Sequence, residues 1–63
     1  MNRVKEFREK AEVTQRDLAE KVGTSQARIS QIEAGNNQPK VRMAYRIAKA
    51  LRSTVEVIFG EGE

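Results

Sequence analysis

The chain has 63 residues, twelve Lys/Arg against nine Asp/Glu, a formal net charge of +3, and neither cysteine nor histidine. That bounds it to one small domain, expected over residues 1–63 and close to the lower size limit for folding alone. It also removes disulfides, thiolate metal sites and the imidazole base, and no apolar run approaches the ~20 residues that span a bilayer.

The N-terminus, MNRVKEFREK, has no signal-peptide apolar stretch, so a cytoplasmic protein is the default. Apolar spacing is helical throughout. Val4, Phe7 and Ala11 give a first helix at about 2–11. In EVTQRDLAEKVG, Thr14 stands three before Asp17, like a capping box with the shorter acid; Leu18, Ala19 and Val22 form the inward stripe of a second helix, about 15–22. Gly23 can end it in the left-handed conformation. Ser25 can cap a third helix, about 26–34, with Ile29 and Ile32 inward and Gly35 at its end. NNQP reads as a loop, and Pro39 precedes a fourth helix, about 40–51, with a stripe of Val41, Ala44, Ile47, Ala48 and Leu51. Val55, Ile58 and Phe59 suit a short fifth helix, about 54–59, since a lone strand would have no partner; an acidic tail, 60–63, follows. The fold class is therefore all-α. The turn between the second and third helices is too short for antiparallel packing, so they form a helix-turn-helix.

Charge is unevenly spread along these elements. Residues 1–23 hold six Lys/Arg and five Asp/Glu, and residues 56–63 hold three acids. Residues 24–55 hold six Lys/Arg (Arg28, Lys40, Arg42, Arg46, Lys49, Arg52) against Glu33 alone. Such a stretch is either a solvated surface or the electrostatic footprint of a polyanion.

The run TQRDLAEKVGTSQARISQIEAG resembles the Cro/repressor-like (Xre-like) helix-turn-helix domains, among them the lambdoid phage repressors. The resemblance rests on Thr14-Gln15, Leu18-Ala19, Gly23, Ile29, Ile32-Glu33 and Gly35, and continues through Pro39 and RIAKAL to Ile58-Phe59. It implies a compact five-helix, lambda-repressor-like domain whose third helix enters the major groove of double-stranded DNA; such repressors are a standard illustration of this docking. It further implies that Gln26, Ala27, Arg28 and Gln31 face the bases. Gln15 would hold a phosphate and brace the first reading side chain. Arg16, Ser25, Asn36, Asn37, Gln38, Lys40 and Arg42 complete the phosphate-facing set, and Arg8 and Glu33 match an ion pair between the first and third helices. Val57, with Ile58 and Phe59, matches the dimer contact of phage repressors, which makes a homodimer on a palindromic operator the expected repressing form.

Side-chain chemistry bears on these roles independently. Gln can bond N6 and N7 of adenine, and Ala offers a methyl to that of thymine. Arg28 can reach a phosphate or a guanine. The second helix's N-terminal N–H groups favour an anion near Gln15. Against this, Gln26, Ser30 and Gln31 taken singly are ordinary surface residues, and a solvated face explains Arg46 and Lys49 better than DNA does.

Three departures from the family stand out. Glu12 and Arg52 occupy positions usually held by Gly, where positive φ costs a side-chain-bearing residue ~1 kcal/mol. Ala44 replaces a larger aliphatic residue, which thins the core or leaves room for Met43 or Tyr45. Tyr45 and Val57 stand where polar residues are tolerated. The competing reading is an antitoxin or other protein-interaction adaptor on the same scaffold, although only GEGE follows the core. An enzyme is not expected, without His, Cys, a carboxylate pair or a phosphate-cradling glycine loop. No cofactor, metal, small-molecule ligand or membrane partner is indicated.

Overall fold

A computed structural model describes residues 2–60 and contains five helices among them: α1 (Val4–Lys10), α2 (Gln15–Val22), α3 (Gln26–Glu33), α4 (Val41–Ala50) and α5 (Val55–Phe59). No strand occurs among the described residues, so the fold is all-α; residues 61–63 of the expected acidic tail lie outside them.

Polar side chains set most of the helix starts. Thr14 Oγ1 accepts from the Asp17 backbone N–H at 3.0 Å, Ser25 Oγ from that of Arg28 at 3.1 Å and Thr54 Oγ1 from that of Val57 at 3.2 Å. Each satisfies one donor that a helix start leaves without an intrahelical partner. At α1, Asn2 Oδ1 accepts from the Val4 N–H at 3.0 Å, which is why that helix begins at Val4 and not at residue 2. The α4 start has no side-chain cap and follows Pro39 and Lys40.

Four helix ends share one solution. After α1, α3 and α4 the chain closes with paired bonds: Val13 N–H to Arg8 O and Glu12 N–H to Glu9 O; Asn36 N–H to Gln31 O and Gly35 N–H to Ile32 O; Ser53 N–H to Ala48 O and Arg52 N–H to Lys49 O, all within 2.8–3.1 Å. After α2, Thr24 and Gly23 both donate to Ala19 O at 2.9 Å. Each closure needs one residue at positive φ. Gly23 and Gly35 supply it at 81°, but Glu12 and Arg52 are held there at 59° and 58°. The family departures at these two positions are therefore strained, by ~1 kcal/mol each.

The core outweighs that strain. Val4, Leu18, Ile29, Ile32, Ile47 and Ile58 are fully buried, and complete burial of such a side chain stabilises by about 1.5–3 kcal/mol. α2 packs on α3 and α4, α4 on α5, and α1 on α3 and α5. The Arg3 N–H donates to Ile58 O at 2.8 Å, joining the first helix start to the last helix.

Two positions correct the spacing-based core. Val41 is 84% exposed, because the first turn of α4 is left uncovered and the buried stripe begins only at Ala44. Ala11 is exposed in the turn after α1, and Val13 packs against the core instead. Beside the small Ala44, Met43 lies against the core while Tyr45 remains 58% exposed.

Candidate nucleic-acid interface

α3 is the helix whose sequence departs most from an ordinary amphipathic pattern. Ile29 and Ile32 are buried, while Gln26, Ala27, Arg28, Ser30 and Gln31 are all exposed. No large apolar side chain stands on the outer face, and Arg28 is its only charge. Ser25 caps its start from within the same turn. Beyond Ile29 and Ile32, its hold on the rest of the domain lies near its finish, where Asn2 Nδ2 donates to Ile32 O at 2.7 Å.

Glu33 adds a second tie. Arg8 Nε donates to Glu33 Oε2 at 2.6 Å, and Arg8 Nη2 lies 3.4 Å from Oε1. The two side chains are only 12% and 6% exposed. Arg8 Nη1 also donates to Val13 O at 2.8 Å, so α1, the turn after it and α3 are fastened at one point. Gln15 Nε2 donates to Glu33 Oε1 at 3.0 Å, and Gln26 Nε2 donates to Gln15 Oε1 at 3.5 Å. Gln15 therefore bridges the ion pair and the first turn of α3.

The α3–α4 loop and the face of α4 continue this surface. Arg28, Asn37, Gln38, Lys40, Arg42, Met43 and Arg46 line one concavity. Four of the seven are cations and none is an acid, so the potential in it is positive. Asn37 Nδ2 donates to Gln31 Oε1 at 3.4 Å, which sets the loop beside α3. Arg46 lines the same concavity; it lies one turn on from Arg42, and its Nη1 reaches Val22 O at 3.5 Å near the α2 C-terminus.

The remaining site residues are disposed as follows. Lys40 and Asn36 are exposed. The Ser25 oxygen is engaged in capping, which leaves its O–H free to donate outward. Arg16 leans toward Glu20 at 4.0 Å, a fully solvated pair of little energetic weight. Val57 is 39% exposed and Phe59 half-buried. Ile58 is fully enclosed and belongs to the core, so it offers no surface to a second copy and is removed from the dimer-contact set. The resemblance at Val57 had drawn its neighbours in with it, but adjacent positions on a helix point about 100° apart. Among the described residues, no three His, Cys, Asp or Glu side chains cluster as a metal site, and no helix is long and apolar enough to cross a membrane.

A capped helix, a tight left-handed turn at Gly23 and a second helix presenting a polar outer face constitute a helix-turn-helix. The comparisons with known proteins agree. The helix-turn-helix family model matches residues 4–58. An uncharacterized HTH-type transcriptional regulator of Archaeoglobus fulgidus is 40% identical over 57 residues, covering 90% of this chain and 80% of that protein. Among solved structures, the SinR protein in the SinR/SinI complex superposes with a TM-score of 0.85 at 25% identity over 94% of this chain. The clp gene regulator ClgR from Corynebacterium glutamicum gives 0.80 at 29% identity over 82%. The chain belongs to this helix-turn-helix family of DNA-binding, Cro/repressor-like transcription regulators. It spans 58% and 55% of the two solved chains, so little more than half of each is compared.

Proposed function

We propose that residues 1–63 act as one cytoplasmic DNA-reading domain that represses transcription at a palindromic operator. α3 lies in the major groove, with Gln26, Ala27, Arg28 and Gln31 against base edges. Gln15, Arg16, Ser25, Asn36, Asn37, Gln38, Lys40 and Arg42 follow the phosphates, and Arg46 joins them from the same concavity. The observation that carries this reading is the outer face of α3. It is polar, is tied from behind through Glu33, and beside its own Arg28 is flanked by three further cations with no acid among them. Binding, not catalysis, is the role such a surface serves.

Selection on random duplex DNA tests the reading. A motif should emerge with two half-sites about one helical turn apart, and affinity should fall with salt as for about 4–8 neutralised phosphates per dimer. Failure to enrich any motif at any protein concentration refutes specific readout. The exposed Val57 with half-buried Phe59 is the proposed two-fold contact. Val57→Glu should convert binding at a full site to weak half-site binding; sedimentation that detects no dimer in the parent chain counts against this part.

A second reading, a protein-binding adaptor, draws support from the SinR neighbour, which is described in complex with SinI. Capture from native extract that survives nuclease treatment, together with a failed DNA selection, would favour it.

A further inference from the structure

Arg8, Glu33, Gln15 and Gln26 form a single hydrogen-bonded chain from the interior to the outer face of α3. Its links have a direction. A glutamine side chain has a donor on one side and an acceptor on the other, and its neighbours decide which way it turns. The Glu33 carboxylate, ionised beside the Arg8 guanidinium, only accepts. Gln15 must therefore give it the NH2 group, at 3.0 Å, and turn its carbonyl oxygen outward. That outward oxygen stands 3.5 Å from Gln26 Nε2, and it can pair only with a donor, so Gln26 in turn directs its NH2 group toward Gln15.

We propose that Glu33 is a positioning residue for base recognition: through Gln15, its carboxylate sets the order in which Gln26 presents donor and acceptor to the groove. The inference rests on the reading of Gln26 as base-facing. With the order set, Gln26 shows its remaining N–H on the side nearer Gln15 and Oε1 on the side away from it. Adenine offers the complement, N7 accepting and N6–H2 donating, and the direction from N7 to N6 reverses when the adenine moves to the other strand. A Gln26 free to turn over would fit both. A Gln26 held by the chain fits one, and so separates A·T from T·A at the same step. The direction comes from the charge on residue 33, not merely from its bulk. A neutral amide there can donate or accept, and Gln15 would lose its preferred orientation.

The probe is the duplex selected by the parent chain, with the base pair under Gln26 made A·T, T·A, G·C and C·G. That base pair is the one whose preference Gln26→Ala abolishes. The parent chain should separate A·T from T·A there by about 5- to 100-fold. Gln15→Met and Glu33→Gln should each bring the ratio to within about twofold while preferences at other base pairs persist. Gln15→Met also forfeits any phosphate contact of Gln15, but that loss is common to all four duplexes and cancels in the ratio. It leaves the ion pair intact and isolates the link from Gln15 to Gln26. If Glu33→Gln fails to fold in a thermal melt, Glu33→Asp, which keeps the charge beside Arg8 but draws the carboxylate back from Gln15, takes its place and should lower the ratio likewise. A folded variant of either kind that keeps the parent ratio overturns the proposal. If Gln26→Ala alters no base preference at all, base reading by Gln26 fails and the proposal falls with it. That result is distinguishable from a relay that fails while Gln26 still reads.

Discussion

α3 and α4 differ by two residues in length, eight against ten, yet they are retained by different forces. α4 turns Ala44, Ile47 and Ala48 into the core, with Met43, Ala50 and Leu51 packed beside them. α3 turns in only Ile29 and Ile32 and makes up the difference with directional contacts from other elements: the Asn2 bond to Ile32 O, the Arg8–Glu33 pair and the Gln15 bond to Glu33. Burial is non-directional, whereas hydrogen bonds from Asn2, Arg8 and Gln15 onto the last turn of α3 hold that helix in one rotation about its axis. A helix whose outer face must meet a ligand gains more from the second kind of hold, and it can then leave that face free of apolar side chains. α4, held by burial, carries strain at Arg52 where α3 uses Gly35.

The largest test of this contrast lies at Glu33. Glu33→Ala should lower unfolding stability by about 3 kcal/mol, because it strands the Arg8 guanidinium in a site where the pair was 12% and 6% exposed. Gln15 Nε2 loses its acceptor at the same time. Urea unfolding is the measurement. An unchanged midpoint would mean that α3 is held by its two isoleucines after all, and the contrast with α4 would collapse.

How much of this could be read in advance divides along the same line. The five helices were legible because burial and capping leave local traces: apolar residues every three or four positions, Thr14 and Ser25 before their helices, Gly23 and Gly35 after them. The positive φ of Glu12 and Arg52 was legible for a similar reason, since the family pattern places glycine there and the backbone bonds that demand it are local. The outer face of α3 followed from the spacing of Ile29 and Ile32. Of the long-range polar ties, the Arg8–Glu33 pair and the brace of Gln15 on Gln26 came only through the family resemblance, and the others left no trace. Nothing near Asn2 signals a bond to Ile32, thirty positions on, and nothing near Gln15 signals Glu33. Val41 misled because periodicity states which side of a helix is apolar but not where the neighbouring elements stop covering it.

The next test, smaller, concerns the ends of the two helices. Arg52→Gly should raise stability by about 0.5–1 kcal/mol, the relief of left-handed strain less the greater freedom glycine gains in the unfolded chain. Gly35→Arg should lower it by a similar amount. A Cβ at Gly35 would meet nothing within 4 Å, so backbone conformation alone is tested there. Thermal unfolding measures both. Opposite signs of similar size would establish that the two closures are equivalent and that α4 merely carries strain α3 does not. A destabilised Arg52→Gly would reveal an interaction of the Arg52 side chain that outweighs its backbone.

The smallest effect is expected at Val41, and it bears on what α4 requires of its first turn. Val41 is 84% exposed, and Tyr45, one turn on along the same face, is 58% exposed. Val41→Ser removes no buried surface, and serine and valine have similar helix propensities, so stability should change by less than about 0.5 kcal/mol. Ile47→Ala, two turns into the same helix from a fully buried position, should cost about 2–5 kcal/mol. A Val41→Ser loss approaching that of Ile47→Ala would mean that the first turn of α4 is covered in solution. If the cover is a second copy of the chain, the loss shrinks on dilution, whereas a cover supplied within the chain leaves it independent of concentration.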